Sequence, residues 1–193
     1  MRNIDDNCAV EIMRDGLGRN IVKINNIIFR GKQNIDWKAV KSYLQQYIGM
    51  VVEGSDEIIH IDRKFVDEYT GSVYTKQLRG GTAKAKANAA QGIVEMIINA
   101  VWKKTMENKK NVHNKDAKKG WKYYKTLFAL PVYIEQTGEI KYNIFKATLI
   151  IRYAKEGKAY LYDMQEIKKK RVPHFGHKVK WYRDKSQNPL LFE

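Results

Sequence analysis

The 193-residue chain predicts an α+β domain in which N-terminal helices pack on one face of a C-terminal antiparallel β-meander. Three observations carry this expectation. Apolar residues at helical spacing come first in the chain, two-residue alternation follows over 128–167, and only short Gly-containing loops separate the alternating stretches. Parallel neighbours would need crossovers of a dozen or more residues, so short loops imply antiparallel pairing.

Taken in order, residues 1–24 read as a flexible N-terminal segment and 25–80 as an N-terminal α/β subregion. Ile27 to Phe29 suits a short strand. Asp36 is an N-cap for a helix in which Trp37, Val40, Tyr43, Leu44 and Ile48 recur at helical spacing, and Gly49 ends it. Glu57 to Asp62 reads as a strand, with His60 an ordinary strand residue. The Tyr-, Thr- and Gly-rich stretch 67–81 reads as irregular. A nuclease-like unit of helix plus antiparallel sheet is expected over 81–170, opening with a helix from Thr82 to Asn108. Its buried stripe is Ala83, Ala87, Ala90, Val94, Ile97 and Val101, and its polar row of Lys84, Asn88, Gln91 and Glu95 is expected to face water. Gly92 inside this helix suggests a close approach. Strands then span Phe128–Glu135, Lys141–Ala154 and Lys158–Ile167, turning at Thr137-Gly138 and Glu156-Gly157. Pro131 argues for an edge position. Residues 171–193 form a basic-aromatic tail.

Charge narrows the function. The net charge of +15 is concentrated in one half: residues 1–80 carry 12 Lys+Arg against 11 Asp+Glu, whereas 81–193 carry 24 against 10. Such a field attracts polyanions. Residues 111–126, NVHNKDAKKGWKYYKT, thread lysines between a tryptophan and two tyrosines, a mixture suited to phosphates and bases together. The tail repeats it with Lys168, Lys169, Lys170 and Arg171 ahead of His174, Phe175, His177, Trp181 and Tyr182. The single cysteine, Cys8, excludes an intramolecular disulfide and a multi-cysteine zinc site. Phosphate-loop, dinucleotide-binding, zinc-protease and hydrolase-elbow motifs are missing, as are a signal peptide and an apolar run long enough to span a membrane. No metal, no cofactor and no membrane partner are therefore expected, and the site of action is expected to be cytoplasmic.

On the middle strand, Asn143, Phe145, Ala147, Leu149, Ile151 and Tyr153 share one face, a good core surface. Lys146, Thr148 and Arg152 share the other. Metal-free RNA cleavage needs a group to take the 2′-hydroxyl proton, a group to protonate the leaving 5′-oxygen, and cations to hold the phosphorane charge. His113, Lys146 and Arg152, with Thr148 as a positioning hydroxyl, would make such a set.

Residues 111–170 further resemble the nuclease modules, grouped as barnase/EndoU/colicin/RelE-like, of phage MuF-type polyvalent proteins and bacterial polymorphic toxins. The shared features are a histidine followed by Gly-Trp, an "LPV" strand, "LIIR" and "YLYD" strands, and a closing Ile-Lys-Lys. The resemblance implies a helix-plus-antiparallel-sheet fold and metal-independent ribonuclease activity, often on tRNA, leaving a 2′,3′-cyclic phosphate. It also implies a cognate immunity protein and a toxin or phage-borne effector role, with delivery by a phage or as part of a larger secreted protein. The site residues it implies are His113, Lys146, Thr148, Arg152, Tyr160 and Tyr162, the second acid/base role being open to Lys146, Tyr162 or a tail histidine. The nucleic-acid contacts expected around them are Lys84, Lys86, Lys119, Trp121, Tyr124, Tyr160, Lys168, Lys169 and Arg171. The rival expectation is a non-catalytic, phage-encoded inhibitor or nucleic-acid-binding protein that blocks a host enzyme.

Overall fold

The computed structural model describes residues 9–31, 34–107, 117, 119–170 and the backbone of 182–183. Its first element is a hairpin, β1 (Val10–Arg14) and β2 (Asn20–Ile24), where the sequence suggested a flexible segment. The turn is fixed by Asp15, whose carboxylate accepts the backbone N–H groups of Leu17 and Arg19, each at 3.0 Å, and the Arg19 guanidinium. Five-residue strands give too little alternation to be seen from sequence, yet Ile21, Val22 and Ile24 are wholly buried.

The stretch Ile27 to Phe29 is not a strand. Its backbone is held by a side chain instead: Asn88 Oδ1 accepts the N–H groups of Ile28 and Phe29 at 2.9 and 3.1 Å, and Asn88 Nδ2 donates to the Phe29 carbonyl at 3.0 Å. A buried amide thus substitutes for a strand partner. Helix α1 (Trp37–Leu44) forms as expected, with Asp36 accepting from the N–H groups of Lys38 and Ala39, and Gly49 beyond its end has a φ of 92°. Two short strands follow, β3 (Val51–Glu53) and β4 (Ile58–His60).

The stretch expected to be irregular is helical. Helix α2 (Arg63–Gly71) is capped by Asp62 and α3 (Val73–Gln77) by Ser72. Phe65, Val66 and Tyr69 are buried on α2, a stripe of one turn that tertiary packing rather than periodicity defines.

The long helix of the sequence reading is broken. It becomes α4 (Gly80–Ala89), a 3₁₀ turn over Ala90–Gly92, α5 (Ile93–Ile98) and a strand, β5 (Val101–Met106). Arg79 rather than Thr82 is its N-cap residue. Gly92 marks the close approach its position suggested: a Cβ there would lie 2.8 Å from Val22 Cγ1. The polar row does not face water, since Asn88 and Gln91 are buried and bind the 26–29 backbone. Val101, placed in the buried stripe by spacing, is exposed on β5.

The meander is as predicted, with longer strands: β6 (Trp121–Ile134), β7 (Glu139–Tyr153) and β8 (Ala159–Lys169), all antiparallel. Gly138 and Gly157 sit at positive φ in its two turns. With β9 (Tyr182–Arg183) the sheet runs β3-β4-β8-β7-β6-β2-β1-β9, and β5 also pairs with β6. Two pairings, β2 with β6 and β4 with β8, are parallel. Strand β6 is central, but the β2 ladder ends at Ala129, so among the described residues Pro131 has only β7 beside it. The fold is α+β with a mostly antiparallel, curled sheet, and its helices lie mid-chain rather than N-terminal to every strand. Phe145, Ala147, Leu149 and Ile151 form the core face of β7, covered by Phe65, Tyr69, Ile93 and Met96 among others. Among the described residues no helix is long and apolar enough to cross a membrane.

Candidate nucleic-acid interface

The sheet is notched beside β6. Strand β5 pairs with β6 from Trp121 to Lys125, and β2 pairs with it only at Phe128 and Ala129, so among the described residues Thr126 and Leu127 have no strand partner on that side. A cavity of about 930 Å³ opens there. Among the described residues six cations line it, Arg19, Lys103, Lys125, Lys146, Lys168 and Lys170, against the single carboxylate of Glu166. They come from the β1–β2 turn, β5 and all three meander strands, and converge only because the sheet curls.

Lys146 and Lys168 are direct cross-strand partners on β7 and β8, as are Thr148 and Lys125 on β7 and β6. Like charges opposite each other destabilise a sheet. Neither Lys146, Lys168 nor Lys125 makes an ion pair among the described residues. Burial depresses the Lys170 ammonium below the ordinary lysine value, and Arg19 and Lys146 push it down further, against a smaller opposing pull from Asp15.

Glu166 occupies an irregularity in β8, where the register with β7 shifts between Lys146 and Thr148. It has a φ of 53°, the left-handed region in which a non-glycine residue is strained. The bulge re-aims its side chain. Glu166 Oε2 accepts from Thr148 Oγ1 and from Lys103 Nζ, each at 2.6 Å. These two contacts hold its carboxyl below the ordinary glutamate value, so it is ionised near neutrality.

Of the sequence-derived catalytic set, Lys146 and Thr148 meet here, whereas Arg152 and Tyr162 do not. Arg152 lies six residues further along β7, roughly 20 Å away at strand rise. It is buried, ion-paired with Asp62 at the start of α2, and stacked over the Tyr160 ring at 4.3 Å. That is a strut between helix and sheet. Tyr162 stands near it, with its ring 4.9 Å from Trp121; burial and the neighbouring Glu68 raise its phenol well above the ordinary value of 10, away from acid/base work. His113 and Arg171 lie outside the described residues, as do the tail histidines.

The binding residues divide in the same way. Lys168 lines the cavity, and Lys169 is exposed next to it. Lys119 is exposed, Lys84 and Trp121 are half-buried, and none of the three lines the cavity. Two assignments are corrected. Lys86 is fully buried and ion-paired with Asp163, so it reaches no ligand. Tyr124 is buried in the core with its hydroxyl donating to Glu57, so it offers no face for stacking. Arg19, Lys103, Lys125, Glu166 and Lys170 were missed. Lys125 and Lys170 lay in the two basic-aromatic stretches without being assigned a contact, only basic composition signalled Arg19 and Lys103, and nothing local signalled the bulge that aims Glu166. Among the described residues no group of three or more His, Cys, Asp and Glu side chains is placed to hold a metal ion. Compared with models of protein families and with curated proteins, the chain matches none of either.

Proposed function

We propose that the chain binds RNA in the notch cleft and cleaves it, without a metal, by transesterification through the ribose 2′-hydroxyl. The observation that carries this reading is the facing pair Lys146 and Lys168, two like charges with no counter-ion among the described residues, in a cleft of six cations and one carboxylate. A phosphate between them relieves their repulsion. Glu166 takes the proton of the 2′-hydroxyl, the 2′-oxygen attacks phosphorus, and the bond to the 5′-oxygen breaks. Lys146, Lys168 and Lys125 hold the charge of the phosphorane. Lys170, made a stronger acid by burial and by its cationic neighbours, is the described group fitted to protonate the leaving oxygen. The resemblance gives His113 one of the two acid/base roles without fixing which, and adds tRNA as substrate, an immunity protein as partner, and a toxin or phage-borne effector role.

The test is incubation with total tRNA in EDTA, with sequencing gels and end-group analysis. Discrete cuts bearing 2′,3′-cyclic phosphate are expected, reduced by roughly 10²–10⁴-fold in Glu166→Gln, the usual worth of a general base. Lys170→Ala and His113→Ala identify the acid. Salt-sensitive binding with intact RNA would instead favour the inhibitor reading, which draws support from a Glu166 carboxylate already engaged by Lys103 and Thr148.

The lowered pKa of Lys170 also sets a pH dependence. An ammonium with a depressed pKa is charged below that value and neutral above it, so RNA affinity is expected to fall, as pH rises, before ordinary lysines titrate. The Lys170→Arg variant keeps its charge. Binding measured from pH 7 upward at constant ionic strength should therefore decline earlier in the native chain than in Lys170→Arg.

A further inference from the structure

We infer that Lys103 is a positioning residue for Glu166: it masks the carboxylate in the free protein and passes to the substrate phosphate when RNA enters, so the base is freed only in a loaded cleft. This rests on the RNA reading above and adds to it a regulation of the same site.

The two residues meet because both leave their ladders. Lys103 is the extra residue of β5, where the pairing with β6 steps from Trp102 opposite Tyr124 to Lys104 opposite Tyr123. On β8, Gln165 pairs with Thr148 and Lys168 with Lys146, so Glu166 and Ile167 together oppose Ala147. Strands β6 and β7 lie between β5 and β8, and three steps of about 4.8 Å would set those strands roughly 14 Å apart in a flat sheet. Long side chains, the curl and the two bulges close that span, and Lys103 Nζ reaches Glu166 Oε2 at 2.6 Å.

This contact is at odds with the duty of a base. A carboxylate that a lysine holds below its ordinary value is a poor proton acceptor near neutrality. Both bonds, from Lys103 and from Thr148, fall on Oε2, and among the described residues Oε1 accepts none. Oε1 is therefore the atom placed to take the 2′-hydroxyl proton. The side chains of Lys103 and Glu166 are 25% and 57% exposed, so little free energy holds the pair and it can be exchanged.

An entering phosphate offers Lys103 a second oxyanion, and the reaction then favours the exchange. As the proton passes from the 2′-oxygen to Oε1, the carboxyl becomes neutral and the phosphorane gains negative charge. The ammonium follows that charge, and its flexible four-carbon stem lets it swing within the cavity that both residues line. Thr148 keeps its bond to Glu166 and with it the aim. Among the described residues Arg19 is tied to Asp15, and Lys103 is the cation of the cleft tied to the base.

The test is the carboxyl titration of Glu166 by carbon NMR, in the free protein and with a saturating 2′-O-methyl oligonucleotide, which lacks the attacking hydroxyl. In the native chain the oligonucleotide is expected to raise the proton affinity of Glu166 roughly tenfold, because the lysine leaves it. Free Lys103→Met should already show a raised midpoint, and the oligonucleotide should then add less than about half of the native increment. Lys103→Arg keeps the cation and should restore the native pattern. The other titratable groups around Glu166 are Lys104 on β5, Tyr123 and Lys125 on β6, Lys146 on β7, Lys168 on β8 and Tyr74 on α3, and the variants leave them in place. Cleavage gives a second readout. A general base works deprotonated, so the native acid limb of kcat/KM, which reports the free protein, should lie at lower pH than that of kcat, which reports the complex. The two limbs should converge in Lys103→Met. Thermal melting checks that the variants keep the fold, and the native titration stands without them. An unchanged Glu166 midpoint on binding, or equal increments in the native chain and Lys103→Met, would overturn this inference alone and leave Lys103 as a tie between strands. Failure to bind the oligonucleotide in a salt-dependent way would overturn the RNA reading together with it.

Discussion

Replacing Lys86 with methionine is expected to destabilise the fold by about 3–5 kcal/mol, a large share of the 5–15 kcal/mol typical of a domain. The side chains of Lys86 and Asp163 are both 0% exposed and meet at 2.6 Å, and Lys86 Nζ also reaches Thr75 Oγ1 at 2.8 Å and lies over the rings of Tyr69 and Tyr74. Asp163 is engaged on all sides, accepting from Ser72, Gln165 and the Met164 N–H. Burial lowers the Lys86 pKa, and the Asp163 carboxylate opposes that shift. Removing the ammonium strands a carboxylate where water cannot reach it, and the loss measures that stranded charge rather than the worth of the pair. The Lys86→Met/Asp163→Asn double variant should therefore be more stable than Lys86→Met alone. Urea denaturation of the four corners of this cycle provides the measurement, and strictly additive losses would show that the two groups do not act as a unit. A folded Lys86 variant should bind RNA with the native salt dependence, because the residue does not line the notch cleft.

Burial of this kind marks the boundary of what the sequence made legible. The meander was readable because period-two alternation and turn glycines are local signals, and so were the Asp36 cap and the Gly49 stop. The close approach at Gly92 was also readable, since a glycine amid good helix formers needs a reason. Nothing local shows that the helix breaks at that glycine, or that Val101 to Met106 leave it to join β6. Those outcomes depend on a sheet edge contributed from far along the chain. Lys86 looked like a surface lysine because its partner lies 77 residues away. Tyr124 looked like a stacking residue because Glu57 is just as remote in sequence.

The candidate site divides along the same line. Lys146 and Thr148 were legible as neighbours on one strand face, but the same periodicity also enrolled Arg152, which Asp62 claims. A face defined by period two extends the length of a strand, whereas a site occupies only part of it. What localises the site is the notch between β5 and β2, and this belongs to the topology rather than to any strand. Of the residues that curl and bulge bring there, Lys125 and Lys170 lay within the two basic-aromatic stretches but were not singled out, and Arg19, Lys103 and Glu166 had no sequence pattern to announce them.

Reversing the charge of Lys168 should uncouple binding from stability in a way that mere misfolding cannot imitate. In the free protein Lys168 faces Lys146 across β8 and β7. The Lys168→Glu variant converts a repulsive cross-strand pair into an attractive one, which should stabilise the fold by about 0.2–1 kcal/mol. The same change places a carboxylate where a phosphate would lie, and RNA affinity should fall by roughly ten- to a hundredfold at moderate salt. Neutral replacements refine the reading: Lys146→Ala and Lys168→Ala should each reduce the slope of log affinity against log salt by about 0.7, the value for one phosphate contact on a single strand. Lys38→Glu, on an exposed turn of α1 away from the cavity, carries the same change in net charge and should leave the slope nearly unchanged. A higher melting temperature together with lost RNA binding in Lys168→Glu, and neither effect in Lys38→Glu, would assign the phosphates to the cleft. Equal losses of binding in both would mean that the net charge of +15 attracts RNA without a defined site.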